Sequence, residues 1–220
     1  WGELIFVIYP NLDIAKKQYA AMKRSLRDQE REVSIAPAVY PIVAETQAEA
    51  EDRYALIDGL AKPIDSLTLL SEVLNYDFAS KPMDEPFTPE ELQAISGLQA
   101  IRDRVVQLSG KSNPTVRDFV QFSGRGTLRE LPTFVGSAKS VADKLEEWFI
   151  GGACDGFVVA ATHVPGTYED FVRLAVPELQ RRGLFRREYE GNTLRENLGL
   201  PRPARGYLRR TKEDVPTMPA

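Results

Sequence analysis

Leu4-Ile5-Phe6-Val7-Ile8-Tyr9 is apolar at every position, the pattern of a strand covered on both faces. Pro10-Asn11 ends it, and Asn11 is placed to cap a following helix. In that helix Leu12, Ala15, Tyr19, Met22 and Leu26 recur at steps of three and four, while Lys16, Lys17, Lys23 and Arg24 lie off the stripe. Val33–Val43 predicts a second strand, in which Pro37 and Pro41 withhold ladder donors and predict a bend or bulge. Thr46-Gln47-Ala48-Glu49 is a capping box, and Ala50, Tyr54 and Ile57 continue one face of the helix it opens. Strand, helix, strand, helix predicts a parallel α/β chain with right-handed crossovers.

Gly59–Gly110 breaks that rhythm. It holds Pro63, Pro82, Pro86 and Pro89, a turn-rich stretch at 75–86, and a helix start at Thr88-Pro89-Glu90-Glu91. Leu92, Ile95, Ile101, Val105 and Leu108 are its apolar set, so 59–110 reads as a partly helical insertion without strands of its own. A connection this long in a compact unit is expected over the carboxyl ends of the strands, as cover for a pocket. A short helix follows at Pro114–Phe122, then an extended piece at Thr133-Phe134-Val135. Ser137 caps a helix whose buried face is Val141, Leu145, Trp148 and Phe149, stopped by Gly151-Gly152. Asp155-Gly156 turns the chain into a third buried strand, Phe157–Ala161, and the loop Thr162-His163-Val164-Pro165-Gly166 leads to the next helix. The strands at Leu4–Tyr9, Val33–Val43 and Phe157–Ala161 are expected to be parallel and adjacent in that order.

Composition narrows the function classes. Lys+Arg 28 against Asp+Glu 32 gives a net −4, which speaks against a general nucleic-acid coat. No apolar run is long enough to span a membrane. No charged-then-apolar leader is visible, so a cytoplasmic location is expected. A chain that enters a core strand three residues in also reads as part of something longer. One cysteine, Cys154, excludes an internal disulfide and reads as a small buried apolar residue. One histidine, His163, leaves no basis for a His-based metal site. From Arg181 the balance reverses, with ten Lys or Arg against five Asp or Glu, and prolines 201, 203, 216 and 219 keep the segment extended. It reads as an arm on an acidic body; an RNA- or phosphate-binding tail lacks the interleaved aromatics it needs.

No phosphate-loop, nucleophile-elbow or zinc-protease motif is present, and Gly124-Arg125-Gly126 has no strand before it. Position says more, because ligands of α/β folds sit at the carboxyl ends of strands. Those places are Tyr9-Pro10-Asn11, Pro41–Thr46 and Ala161–Gly166. His163, in the last, is the side chain suited to acid/base work near neutral pH; its alternative is a packing residue in a pocket wall.

Val135–Phe149 (VGSAKSVADKLEEWF) followed by Gly152–Phe157 (GACDGF) resembles the closing section of the bacterial luciferase-like flavin monooxygenases. Val176–Phe185 (VPELQRRGLF) and Glu188–Gly199 (EYEGNTLRENLG) are similar to the ending of their nitrilotriacetate, dibenzothiophene-sulfone and pristinamycin monooxygenase branch. Glu3–Ile8, Val39–Val43 and Glu45–Glu51 share the likeness, which fades across Gly59–Arg129.

The resemblance implies a (β/α)8 TIM barrel of which this chain is the C-terminal part, with the three strands as the sixth to eighth. Residues 1–200 would belong to the barrel and 201–220 to an extended basic, proline-containing tail. It implies reduced FMN supplied by a separate flavin reductase, O2, and a flavin C4a-peroxide that oxygenates a small organic substrate in a homo-oligomeric enzyme. A membrane or nucleic-acid partner is not implied. The family's flavin-phosphate positions precede the sixth strand, so no cofactor-binding residue is assigned. What remains is the substrate side, with His163 as the catalytic candidate and Tyr9, Pro41 and Thr162 as substrate-binding candidates. The 220-residue piece alone is expected to be inactive. A flavin-free scaffold built on a partial barrel, or a deazaflavin-dependent oxidoreductase of the same superfamily, are the alternatives.

Overall fold

The computed structural model describes residues 2–28 and 32–200. Two compact units are present, 1–184 and 185–220.

In the first unit β1 (Leu4–Val7), α1 (Leu12–Asp28), β2 (Ser34–Ala44) and α2 (Gln47–Leu60) follow the expected alternation. Then come α3 (Pro63–Leu74), α4 (Pro89–Ala94), α5 (Gln99–Ser109) and α6 (Val116–Ser123). The rest of the unit is β3 (Thr133–Ser137), α7 (Ala138–Ile150), β4 (Val158–Val159), α8 (Gly166–Asp170), a π-helical turn at Phe171–Ala175 and α9 (Val176–Arg181). Capping boxes start α2, at Thr46 and Glu49, and α4, at Thr88 and Glu91, as the sequence predicts.

All strand pairs are parallel, and β2 is the hub. Ser34 and Tyr40 donate their N–H groups to Glu3 and Pro132, while Ile35 and Val39 accept from Asp155 and Ala160. Even-numbered backbone groups of β2 therefore face β1 and, further along the same edge, β3; odd-numbered groups face β4. The order β1-β2-β4 agrees with the expectation, and β3 comes between none of these three strands. Thr133–Ser137, read from sequence only as an extended piece, is a strand registered against Tyr40–Ala44.

The bulge that Pro37 and Pro41 could have introduced is absent: the odd–even alternation runs unbroken through β2. Both prolines are odd, so the donors they lack are missing only on the β4 edge. They flank the two residues, Ala38 and Val39, that do pair with β4. This accounts for a β4 of two residues where five had been expected.

Two apolar clusters hold the unit together. Tyr9, Val39, Val43, Phe134, Val141, Leu145, Trp148 and Leu179 form the core between the sheet and helices α1, α7 and α9. A second cluster, from Leu70 to Phe119, lies inside the helical block, where Phe78, Phe87 and Phe119 meet at centroid distances of 5.1–5.9 Å. The block is thus broader than the predicted insertion, because α6 contributes Val116 and Phe119 to the same cluster.

Cys154 sits in the sheet-side core, 3% exposed, and burial pushes its thiol up to about 12. It is expected to resist Ellman's reagent in the native protein and to react once the chain is unfolded in guanidinium. Stoichiometric labelling of the native state would contradict this packing.

In the second unit, described over 185–200, the Arg186 guanidinium lies over the rings of Phe185 and Tyr189, at 4.6 and 4.4 Å. Thr193 and Glu196 form a capping box on α10 (Leu194–Asn197). The predicted tail at 201–220 lies outside the described residues.

Candidate functional site

A cleft of about 260 Å³ opens where the chain leaves β4, lined by Tyr40, Ile57, Leu60, Asp65, Glu130 and Thr162 among others. Each wall has a local cause. The capping box aims α2 so that its last turn brings Ile57 and Leu60 to the rim, and Pro63 restarts the chain as α3 with Asp65 in the first turn. The Ser66 hydroxyl donates to the Arg125 carbonyl at 2.8 Å, pinning the 124–126 turn onto α3. Gly126 adopts φ +70° there, a conformation that disfavours any side chain. The turn places Arg125 against Glu130 in an ion pair, so the carboxylate at the cleft already holds its cation.

Tyr40 projects from β2 between these walls. Burial raises its phenol above the ordinary tyrosine range, Glu130 adds to the effect and Arg125 partly offsets it. The ring therefore presents a protonated hydroxyl at neutral pH, and that hydroxyl has no hydrogen-bond partner among the described residues.

On the β4 side, Thr162, His163 and Thr167 form one small cluster. The Thr167 hydroxyl accepts from the Thr162 and His163 N–H groups at 3.2 and 3.1 Å. It also lies 3.1 Å from His163 Nδ1 and 3.0 Å from the Thr162 hydroxyl. Thr167 is buried while His163 is exposed, so the loop is fixed from below and the imidazole stands at the surface beside Thr162. A second network anchors the following helix. Arg53 donates to the Val43 carbonyl at 3.0 Å and pairs with Asp170; Arg173 joins Asp170 at 2.9 Å and pairs with Glu45. Burial works to raise the Asp170 carboxyl, but Arg173 and Arg53 outweigh it and hold it below the usual carboxylate range. This network ties α8 to the end of β2 and so sets where the His163 loop lies.

Of the predicted substrate-binding candidates, Thr162 lines the cleft. Tyr9 lies in the sheet-side core, 1% exposed, with its hydroxyl donating to Met22 Sδ at 3.7 Å. Pro41 shares the strand phase of Val39 and Val43, which face the helices. Their neighbours occupy the opposite phase: Tyr40 in the cleft, Ile8 with 59% of its surface exposed. Sequence reasoning missed Tyr40, Glu130, Asp65 and the Arg53–Asp170 network. The signal available was the capped helix at Thr46, which fixes β2's carboxyl end and brings its last residues under scrutiny.

Comparison with known proteins bears on this arrangement. No family model matches the chain. It is 36% identical over 207 residues to nitrilotriacetate monooxygenase component A of Aminobacter aminovorans, covering 92% of this chain and 45% of that protein. It is 32% identical over 218 residues to dibenzothiophene-sulfone monooxygenase of Rhodococcus erythropolis, covering 92% and 46%. Among solved structures, DmoA from Hyphomicrobium sulfonivorans superposes with a TM-score of 0.67 at 30% identity, over 89% of this chain and 41% of that one. The chain is similar to part of each of these monooxygenases. It spans under half the length of the curated relatives named here.

The flavin that the sequence resemblance implies makes a definite demand on a binding site. FMN carries a phosphate dianion, which requires free N–H donors or cations. Here the lining offers two acidic residues, and the neighbouring cation, Arg125, pairs with Glu130 through one terminal nitrogen while its buried Nε has no hydrogen-bond partner among the described residues. These residues do not fit the phosphate end of the cofactor. They fit the uncharged part of an organic molecule. Among the described residues no group of three His, Cys, Asp or Glu side chains is arranged to hold a metal ion, and no helix is long and apolar enough to cross a membrane.

Proposed function

We propose that this chain forms the C-terminal part of an FMN-dependent, two-component monooxygenase and supplies the substrate-facing wall of its site. In this reading β1, β2 and β4 are the sixth, seventh and eighth strands of a (β/α)8 barrel. The supporting observation is the parallel order β1-β2-β4 with a cleft at the carboxyl end of β4. The outer edges of β1 and β4 have no strand partner among the described residues, which suits a sheet that continues on both sides. When bound, reduced flavin would supply the oxygen-activating chemistry, and a separate reductase would deliver it. The groups on this chain orient the substrate and keep water out. The relatives are named for substrates as different as a tricarboxylate and a neutral sulfone, so the substrate is not carried over from them.

His163 is proposed to act beside Thr162 as a proton donor or acceptor at the substrate. The test is reductase-coupled turnover of the complete protein that carries this chain, read as product formed per NADH oxidised. Product that requires both reduced FMN and O2 supports the reading; product without flavin, or with a deazaflavin only, overturns it. His163→Ala is expected to lower kcat by about 10²-fold with reduced-FMN affinity unchanged. A rise in KM at constant kcat would make the imidazole a pocket wall instead.

A further inference from the structure

The cleft combines three features that together describe a ligand. Its rim is apolar where Ile57, Leu60 and Leu128 contribute. Tyr40 lines it as well, and its hydroxyl, a neutral donor, has no hydrogen-bond partner among the described residues. Two acidic residues, Asp65 and Glu130, are also in the lining. Glu130 is neutralised by Arg125, whereas Asp65 has no ion-pair partner among the described residues. The bland account of Asp65 is its place in the first turn of α3, where a negative charge suits the helix dipole. That account explains why an acid is tolerated there and leaves its charge on the cleft unchanged.

We infer that the cleft selects uncharged organic molecules with an apolar body and one hydrogen-bond acceptor, such as a ketone, sulfoxide or sulfone, and rejects carboxylates. The inference rests on the proposed reading of this cleft as the substrate wall. The apolar rim gains from covering a ring or alkyl body. The Tyr40 O–H meets the acceptor, and its raised pKa keeps the proton on the phenol through the neutral range. A carboxylate in the same position would accept equally well from Tyr40. It would also bring a negative charge beside Asp65 and compete with Glu130 for Arg125, in a site that has already shed part of its water. Tyr40 and Asp65 are therefore specificity-determining residues: the first selects for the acceptor and the second against the anion, while Glu130 acts by keeping Arg125 paired.

Ligand binding needs neither flavin nor turnover, so the complete protein that carries this chain, free of flavin, serves for the test. Saturation-transfer NMR titrations would compare acetophenone with benzoate, which share a ring and differ in charge. Acetophenone is expected to bind at least tenfold more tightly than benzoate. Tyr40→Phe should weaken acetophenone by about fivefold, the loss of one neutral hydrogen bond. The double variant Asp65→Asn, Glu130→Gln should narrow the gap by bringing benzoate up, with acetophenone little changed. Far-UV circular dichroism and Tm confirm that each variant is folded, and Tyr40→Leu provides a second probe if Tyr40→Phe is unstable. Benzoate binding as well as acetophenone, insensitivity to Tyr40→Phe, or failure of both ligands to bind the folded chain would each overturn the inference. Acetophenone binding here alongside flavin-independent turnover would overturn the monooxygenase reading and leave this one standing.

Discussion

Asp155→Ala is expected to cost about 3 kcal/mol of unfolding free energy, lowering Tm by roughly 6–10 °C. Asp155 lies ahead of β4, at the end of the sheet opposite the cleft. One carboxylate oxygen accepts from the Tyr19 hydroxyl at 2.7 Å; the other accepts from the Ile35 N–H at 2.8 Å and lies 2.8 Å from Lys23 Nζ. Three elements, α1, β2 and the turn before β4, thus converge on one side chain, and Lys23 also donates to the Val33 carbonyl at 2.7 Å. Charge-assisted bonds contribute about 1.5–3 kcal/mol each and are not additive here, since the ammonium keeps the Val33 carbonyl and the group is partly solvated. Burial acts to raise the Asp155 carboxyl, but the Lys23, Ile35 and Tyr19 bonds outweigh it and the net shift is downward. The stabilisation is therefore fully present above the unfolded carboxylate pKa of about 4 and is lost as pH falls through the lower folded value. Denaturant melts at pH 7 and pH 3 would check this: the gap between wild type and Asp155→Asn should narrow on acidification. An equal gap at both pH values would remove the charge from the explanation.

Which parts of this molecule can be read from its sequence follows from the range of the forces involved. The helices α1 and α2 are legible because their stripe, cap and box are written within a few residues of one another. The phase of β1 and β2 is not, because their runs are apolar at nearly every position and carry no period-two mark; the cover expected on both faces of β1 is missing on one, where Phe6 and Ile8 are exposed. Tyr9 and Pro41 were accordingly chosen one residue away from Ile8 and Tyr40, and a single step along a strand turns a side chain to the other face. Pro37 and Pro41 show the same limit from another side. Their missing donors are evident in the sequence, but which edge lacks them depends on the partners of β2. Read alone they predict a bulge, whereas in the sheet they shorten β4. Asp155 was read as a turn residue, since nothing local announces partners at 19, 23 and 35. Thr162 was legible as a cleft residue because the end of a buried run before a helix marks a carboxyl end without any knowledge of pairing; His163, the next residue, is not in the cleft's lining. Asp65 and Glu130, in the first turn of α3 and just before β3, are brought to the same cleft as Tyr40 and Thr162 only by tertiary contacts that no local pattern announces.

Gly97→Ala is expected to be the most disruptive glycine-to-alanine change among the described residues. The connection after α4 runs across the end of α3, where Gly97 donates to the Leu74 carbonyl at 3.2 Å and Leu98 to the Val73 carbonyl at 2.9 Å. These bonds satisfy carbonyls that the last turn of α3 cannot pair internally. A Cβ at position 97 would overlap the Val73 carbonyl oxygen and lie 2.6 Å from Leu74 Cα and 2.7 Å from its carbonyl carbon. The obstacle is backbone, so no rotamer change relieves it, and the crossing has to separate. Both bonds weaken as it does, and Ile95, fully buried just upstream, is drawn out of the Leu70–Phe119 cluster. The expected cost is about 3 kcal/mol or more, the upper part of the range for overpacking. Gly59→Ala supplies the matched control: it lies inside α2, its Cβ would meet nothing within 4 Å, and replacing a helical glycine should add about 0.5–1 kcal/mol. Native-state hydrogen exchange distinguishes local from global damage. In Gly97→Ala, amides of α3, α5 and α6 should exchange faster while those of β2 and α7 keep their protection, because the two apolar clusters are separate. Uniform acceleration across both clusters would mean that the helical block and the sheet unfold as one, and a Gly97→Ala protein as stable as wild type would mean that this crossing is looser than its distances require.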